Sequence, residues 1–293
     1  MIYERIIRRE LVDKGWSGDQ KYRAFTDDGQ EYLLRISPVE KKDRRAGEFA
    51  RMEQVCALGI PMCDPYEFGI CDEGFYQILR WIDGEDAEPL IPTLSPEKQY
   101  AYGLDAGRIL AKLHTLPPAP GIPEWEEKFN AKIDRKIAAY EACPLKYEGG
   151  EAFLRFLSEN RHLLRNRPQT YQHGDFHIGN MMIADGKLVV IDFDRFDFGD
   201  PWEEFNRICW CAQKAPYFAS GRVDGYFDGK VPREFWQLLA MYISSNTLSS
   251  VPWAIPFGEE QIGVILRQAK EVIDWYDGMK KDIPSWYKKP CEK

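Results

Sequence analysis

The chain concentrates ionisable side chains in residues 173–201, which read HGDFHIGNMMIADGKLVVIDFDRFDFGDP and contain two histidines, six aspartates and one asparagine. An asparagine and two aspartates that meet at one point form an all-oxygen site suited to a hard divalent cation such as Mg²⁺. Two carboxylates about 4 Å apart repel by roughly 1 to 4 kcal/mol, so a cation or a proton is expected between them. A further carboxylate that is not a ligand could accept a hydroxyl proton or orient a nucleophile.

A hairpin in the middle of this stretch would gather the polar residues. Asp185-Gly186 is typical of a type I′ turn between two apolar segments, and such a turn predicts that Met181 pairs with Val190. Asn180 and Asp192 then lie at the open end of the hairpin. Strict alternation would direct them to different faces, so the register alone does not decide whether they meet.

Two other interpretations of these residues stay open. Aspartate and glycine are common in turns, so the cluster could be a set of turn and capping residues. Alternatively, His173 and His177 could bind the metal of a hydrolase together with Asp175 and Asp192, but Gly174 and Gly179 argue against a zinc-binding helix.

The elements that must position these residues differ between the two parts of the chain. Residues 1–82 predict a small β-rich lobe, with a hairpin at Asp28-Gly29 and an amphipathic helix carrying Phe49, Met52 and Val55. Residues 83–293 predict a large helical lobe in which Ser95 caps a helix and the acidic hairpin interrupts the helical pattern. Further helices are predicted over 125–142, 150–165, 202–214, 232–248 and 259–278. The expected fold class is therefore α+β in two lobes.

Composition narrows the class of protein. The 293 residues carry a net charge of −8, which disfavours binding to nucleic acid or anionic lipid. Residues 1–82 hold 13 basic and 15 acidic residues, so −6 of this charge falls in residues 83–293, where we expect any cationic ligand to bind. No apolar run is long enough for a membrane span, and we expect a cytoplasmic protein. The sequence does not predict its oligomeric state. The seven cysteines lack CxxC spacing, so Cys209 and Cys211 are predicted to fill the core.

HGDFHIGN, followed by Asp192 in VIDFD and then by FGDP, resembles the signatures of the aminoglycoside phosphotransferase family, whose members are small-molecule relatives of the protein kinases. ILAKLHTL is similar to a conserved helix of that family, and the helical second half is similar to its substrate lobe. The resemblance implies a protein-kinase-like two-lobed fold with a nucleotide-binding lobe at 1–82 and a catalytic lobe at 83–293. It also implies ATP- and Mg²⁺-dependent transfer of the γ-phosphoryl group to a small-molecule hydroxyl.

The resemblance further implies roles for individual residues. Asp175 would be the catalytic base or hydroxyl-orienting group, and Asn180 and Asp192 would hold Mg²⁺. His173 would brace the loop and Asp200 would tie its own turn to it.

The first lobe resembles the family's nucleotide site less closely. Arg35 stands where relatives commonly have a lysine, and Glu48 matches the ion-pair partner on the following helix. Leu79 would face the adenine, and the backbones of Arg80 and Ile82 would bind it. The phosphate loop GWSGDQ would contribute its backbone N–H groups at Trp16, Ser17 and Gly18.

The acceptor is left open by the sequence. An aminoglycoside or another antibiotic is the first expectation, and choline, an amino acid or a sugar is the alternative. Acidic residues that could contact a cationic acceptor are Asp194, Asp197, Glu203 and Glu204, although solvated helix faces also carry such residues. A non-catalytic nucleotide-binding protein is the alternative from another class.

Overall fold

The computed structural model describes residues 1–13 and 18–290. Within them the chain adopts the predicted α+β fold, with strands mainly before residue 87 and helices mainly after it. The strands are β1 (Ile6–Leu11), β2 (Gln20–Thr26), β3 (Glu31–Ser37), β4 (Pro65–Cys71), β5 (Gly74–Arg80), β6 (Glu85–Asp86), β7 (Thr170–Gln172), β8 (Met181–Ala184), β9 (Lys187–Val190) and β10 (Asp197–Gly199). The α-helices are α1 (Lys42–Cys56), α2 (Ala87–Leu90), α3 (Pro96–Leu113), α4 (Trp125–Ala142), α5 (Glu151–Asn160), α6 (Ile208–Lys214), α7 (Pro216–Phe227), α8 (Arg233–Ala254) and α9 (Glu259–Trp275).

The first of two compact units comprises Met1–Ala87 and Asn180–Phe196. Its main sheet is antiparallel with the strand order β1-β2-β3-β5-β4, and β2 and β3 form the predicted hairpin. Helix α1 contacts β4 and β5 through its predicted apolar stripe, in which Phe49, Met52 and Val55 are buried. The Phe49 ring lies 4.8 Å from that of Phe68 on β4.

The β8–β9 hairpin has the predicted register, since Met181 pairs with Val190. Asp185 and Gly186 adopt φ values of 50° and 70°, as a type I′ turn requires. The short strand β6 pairs with the other edge of β8. Val190 donates its N–H to the carbonyl of Pro61 at 3.0 Å, which joins the hairpin to the segment after α1.

The second unit comprises Glu88–Gly179 and Asp197–Lys293, and α3 and α7 pack closely in it. Glycines spaced four apart line the facing surfaces of both helices: Gly103 and Gly107 on α3, and Gly221 and Gly225 on α7. A Cβ atom on Gly103 would lie 2.3 Å from the carbonyl oxygen of Phe218, and one on Gly221 would lie 2.2 Å from that of Tyr100. Only glycine permits this backbone approach.

The helix predictions were confirmed in most places and wrong in one. Residues 125–142 form α4 as predicted, Ser95 accepts from the N–H of Lys98 at the start of α3, and Cys209 and Cys211 are buried in α6. Helix α7 was not predicted, and the helix expected over 202–214 begins as a 3₁₀ turn at Glu203–Arg207. No helix in the described part of the chain is long and apolar enough to cross a membrane. The lobe boundary between residues 82 and 83 stays a prediction.

Candidate active site

The loop that carries Asp175 follows β7, which pairs with β10. His173 is fully buried, and its Nδ1 accepts a hydrogen bond from the N–H of Asp175 at 3.3 Å. Gly174 adopts φ 83°, a conformation that favours glycine. These contacts fix the backbone of the loop. The hydrogen bond to His173 fits the supporting role that the resemblance implies for this residue.

The carboxylate of Asp175 is held by basic residues of the second unit. Its Oδ1 lies 2.8 Å from Arg207 Nε and 3.4 Å from His177 Nε2. The side chain is only 11% exposed, so both ion pairs lie in a partly dehydrated setting, where attraction between opposite charges is stronger than in bulk water. His177 also accepts from the N–H of Gly179 through Nδ1 at 3.0 Å. Within residues 1–13 and 18–290, no three His, Cys, Asp or Glu side chains are grouped so that they could hold a metal.

Glu204 supports the same loop from outside. Its two carboxylate oxygens accept from the N–H of Gly174 at 2.9 and 3.2 Å, and the residue is 3% exposed. Arg222, itself fully buried, donates to the backbone carbonyl of Glu204 at 3.0 Å. Glu204 was expected to contact the acceptor, but its carboxylate is buried and its hydrogen-bond partner is the loop of Asp175.

Asp200 is a structural residue, as its FGDP motif suggested. The carboxylate is fully buried and accepts from Arg167 Nε at 2.6 Å and from the hydroxyl of Tyr242 at 2.6 Å. It also accepts from the N–H of Trp202 at 2.9 Å, which fixes its own turn. The backbone carbonyl of Asp200 accepts from the side chain of Gln172, the residue before His173, and so ties this turn to the loop.

Asn180 and Asp192 belong to the first unit and occupy the open end of the β8–β9 hairpin. Ile191, next to Asp192, donates its N–H to the carbonyl of Asn180 at 3.0 Å. Asp192 adopts φ 67°, an uncommon conformation for a residue with a side chain and one often found at functional sites. Burial, and then the charge of Asp194, raise the pKa of Asp192. A carboxamide and a carboxylate at this position supply oxygen donors, the chemistry that fits Mg²⁺.

Arg35 lies in a buried ion-pair network of the first unit. Its Nε donates to Asp19 at 2.7 Å and its Nη2 donates to Asp194 at 2.7 Å. Arg45 on α1 also pairs with Asp19, whose side chain is fully buried. Burial alone would raise the pKa of Asp194, but the hydrogen bond and charge of Arg35 lower it to about 2. Asp194 is thus neutralised by arginine, which does not match its expected contact with a cationic acceptor.

Glu48 has different partners from those that the resemblance implies. It is 4% exposed and accepts from Arg44 at 2.8 Å and from Arg45 at 2.5 Å. The expected pair between Arg35 and Glu48 is therefore corrected, because Arg35 is occupied by two aspartates and Arg45 lies three residues before Glu48 on the same helix. The sequence KKDRRAGE contained this signal as an i,i+3 spacing.

The remaining nucleotide-site predictions stay predictions. Trp16 and Ser17 lie outside the described residues, and Gly18 is exposed just before β2. Leu79 and Ile82 are buried, at 5% and 8% exposure. The N–H of Arg80 donates to the carbonyl of Asp64 at 2.8 Å, and its side chain is half exposed.

The last two acidic candidates also have basic partners. Asp197 is exposed and lies 2.9 Å from Lys128 Nζ. Glu203 is nearly buried, and its Oε1 lies 2.9 Å from Lys132 Nζ. Burial would raise the pKa of Glu203, but Lys132, and then Lys136 and Arg207, lower it.

Sequence reasoning overlooked the basic residues near Asp175. Lys132 and Lys136 lie four residues apart on one face of α4, a spacing that was visible in KFNAKIDRK. Arg207 ends the 3₁₀ turn that also carries Glu203 and Glu204. Only the fold brings this turn and α4 to the loop of Asp175.

Comparison with known proteins supports the same fold. A thermostable mutant of the aminoglycoside phosphotransferase APH(4)-Ia superposes with a TM-score of 0.66 at 15% identity, covering 93% of this chain and 96% of that one. A choline/ethanolamine kinase family protein from Mesorhizobium loti gives 0.64 at 16% identity, over 92% and 90%. Amicoumacin kinase in complex with AMP-PNP, Ca²⁺ and Ami gives 0.65 at 14% identity, over 96% and 93%. These likenesses confirm the kinase-like fold.

A search of curated proteins found no match. The profile of the phosphotransferase enzyme family matches residues 9–236, which is more than half of the chain and includes the loop of Asp175, the β8–β9 hairpin and the turn of Glu203 and Glu204. The chain therefore belongs to the phosphotransferase enzyme family and is a small-molecule kinase of that fold.

Proposed function

We propose that this phosphotransferase uses ATP and Mg²⁺ to transfer a γ-phosphoryl group directly to a hydroxyl of a small molecule, without a covalent enzyme intermediate. The observation that carries the proposal is the arrangement around Asp175. Its carboxylate forms an ion pair with Arg207, and the backbone of its loop donates hydrogen bonds to His173 and Glu204. Such a carboxylate can accept the hydroxyl proton or align the oxygen for attack.

Asn180 and Asp192 are proposed to hold the metal ion. Their oxygen donors fit a hard cation, and the pKa of Asp192 is raised first by burial and then by the charge of Asp194, two effects that a bound cation would oppose. Bound Mg²⁺ would neutralise charge on the phosphate oxygens. The chain's own residues orient the acceptor hydroxyl and hold its proton at Asp175.

Arg35 is proposed to contact the nucleotide phosphates with Glu48 in a supporting role through Arg45. Leu79, Arg80 and Ile82 are proposed to bind the adenine, and Trp16, Ser17 and Gly18 to cover the phosphates. The planar guanidinium of Arg35 already spans two carboxylates, so its orientation is set before a ligand arrives.

The acceptor class is tested by an ADP-release screen. The panel contains aminoglycosides, other antibiotics, choline, ethanolamine, hydroxy amino acids and sugars. The names of proteins with the same fold suggest the antibiotics, choline and ethanolamine. Asp175→Asn should reduce the acceptor-dependent rate about 10²- to 10⁴-fold without weakening Mg·ATP binding. Asp105→Asn, at an exposed position of α3, is the matched control.

Two results would contradict the proposal. The first is no ADP release above the water background with any acceptor, together with no binding of Mg·ATP in calorimetry. The second is an Asp175→Asn protein with full acceptor-dependent activity. Binding of Mg·ATP without turnover by any compound would favour the non-catalytic alternative.

A further inference from the structure

Three basic side chains of the second unit contact Asp175 or Glu203 or lie one helical turn from one that does. They are Lys132 and Lys136 of α4 and Arg207, called here the basic cluster. Arg207 lies 2.8 Å from Asp175, and Lys132 lies 2.9 Å from Glu203. The side chains of Lys132 and Arg207 are 33% and 29% exposed, so the basic cluster can be reached from solvent.

The basic cluster has one more cation than it has carboxylate partners. Asp175 forms an ion pair with Arg207, and Glu203 forms one with Lys132 through Oε1. The second oxygen of Glu203, Oε2, accepts a hydrogen bond from Gln172 at 3.4 Å. Lys136 is half-buried, and no carboxylate of the described chain lies within ion-pair distance of its amine. A half-buried cation without an opposite charge is a place where an anion gains binding energy.

The electrostatic setting of Lys136 points the same way. Burial, and then the positive charges of Lys132 and Arg207, lower the pKa of Lys136 to about 7, while Glu203 opposes this only in part. An anionic ligand would restore the protonated amine and would itself gain a charge-assisted hydrogen bond.

The acids that could have attracted a cationic acceptor are neutralised elsewhere. Asp194 is paired with Arg35, Asp197 with Lys128, and Glu204 is buried against Gly174. These three acids therefore already have partners within their own units.

We propose that Lys132, Lys136 and Arg207 bind an anionic group of the acceptor, so that the substrate class is a hydroxyl compound that also carries a carboxylate or a phosphate. Hydroxy acids, sugar acids and sugar phosphates have this chemistry. The inference rests on the proposed function, since it names the acceptor of that reaction.

The test compares acceptors that share a carbon skeleton and differ in charge through one substituent. Glucuronate, glucose and glucosamine share one ring and are anionic, neutral and cationic, and glycerate and glycerol form a second matched set. We expect ADP release with the anionic members. Lys136→Met should raise their KM about tenfold, the loss expected for one charged contact, and leave the KM for ATP unchanged. Lys112→Met, an exposed lysine of α3, is the control.

A second readout does not depend on turnover. Lysines labelled by ¹³C reductive methylation are titrated by NMR, and the signal of Lys136 is assigned by its loss in Lys136→Met. Glucuronate or inorganic phosphate should move the midpoint of this signal to higher pH, whereas glucosamine should not.

Three results would overturn the inference. They are a preference for the cationic or neutral acceptors, an effect of Lys136→Met on the KM for ATP instead of the acceptor, and a Lys136 signal that no anion moves. Binding of Mg·ATP in calorimetry separates this failure from failure of the proposed function. If Mg·ATP binds and glucosamine is phosphorylated, the kinase assignment stands and only the anionic acceptor is wrong.

Discussion

Both carboxylate oxygens of Glu204 accept from the backbone N–H of Gly174, the residue immediately before Asp175. The loop of Asp175 is therefore held through its backbone by a residue 30 positions later in the chain. This contact separates the support of Asp175 from its chemistry, and each can be tested by a different substitution.

We expect Glu204→Ala to lower kcat about 10- to 100-fold, because a small displacement of a catalytic group has a large effect on rate. Glu204→Gln keeps a carbonyl oxygen as acceptor and should retain most of the activity. Steady-state kinetics with any acceptor found in the screen decides this. Equal rates for Glu204→Ala and the parent protein would show that the contact does not position the loop.

Removal of Asp200 should destabilise the protein strongly. Asp200→Ala leaves the nearly buried guanidinium of Arg167 without its carboxylate and the hydroxyl of Tyr242 without its acceptor, which costs about 3 to 5 kcal/mol. The control is Asp134→Ala, whose partner Arg161 is at the surface, where the loss is below about 1 kcal/mol. Urea unfolding measures both, and similar losses for the two variants would contradict the prediction.

The glycine contacts predict that a glycine-to-alanine substitution destabilises the protein at Gly221, between α3 and α7, and stabilises it at Gly263. Gly221→Ala would place a Cβ atom 2.2 Å from the carbonyl oxygen of Tyr100, and we expect a loss of about 3 kcal/mol as the helices separate. Gly263→Ala in α9 meets only the end of the Arg267 side chain at 3.4 Å, so it should stabilise by roughly 0.5 to 1 kcal/mol. Thermal unfolding of the two variants compares them directly.

Lys136 predicts a pH dependence of stability. Its pKa is lowered from 10.5 to about 7 by burial, and then by Lys132, so between these values the unfolded chain binds more protons than the folded one. The free energy of unfolding therefore rises with pH across that range. The destabilisation caused by burying protonated Lys136 is complete below about pH 7. Lys136→Met should be more stable than the parent near pH 7, with a gain that shrinks towards pH 10. A gain independent of pH would contradict the lowered pKa.

Local patterns were sufficient where neighbours in the chain decide the structure. The turn at Asp185-Gly186 has the positive φ values that these residues favour, and the pairing of Met181 with Val190 follows from it. Ser95 caps α3, and the stripe of Phe49, Met52 and Val55 is buried, since helix period alone selects that face. Helix α7 escaped prediction because its glycines disfavour an isolated helix and are tolerated only through the contact with α3.

The α+β class, the hairpin and the motif residues Asp175, Asn180 and Asp192 could be predicted before folding, since they depend on residue type and short spacing. Tertiary structure decided which charges neutralise one another. Arg35 pairs with Asp19 and Asp194 and not with Glu48, and Glu204 is bonded to the loop and not open to an acceptor. Ion pairs act over a few ångströms between residues far apart in the chain, so only the folded backbone selects the partner of each charge.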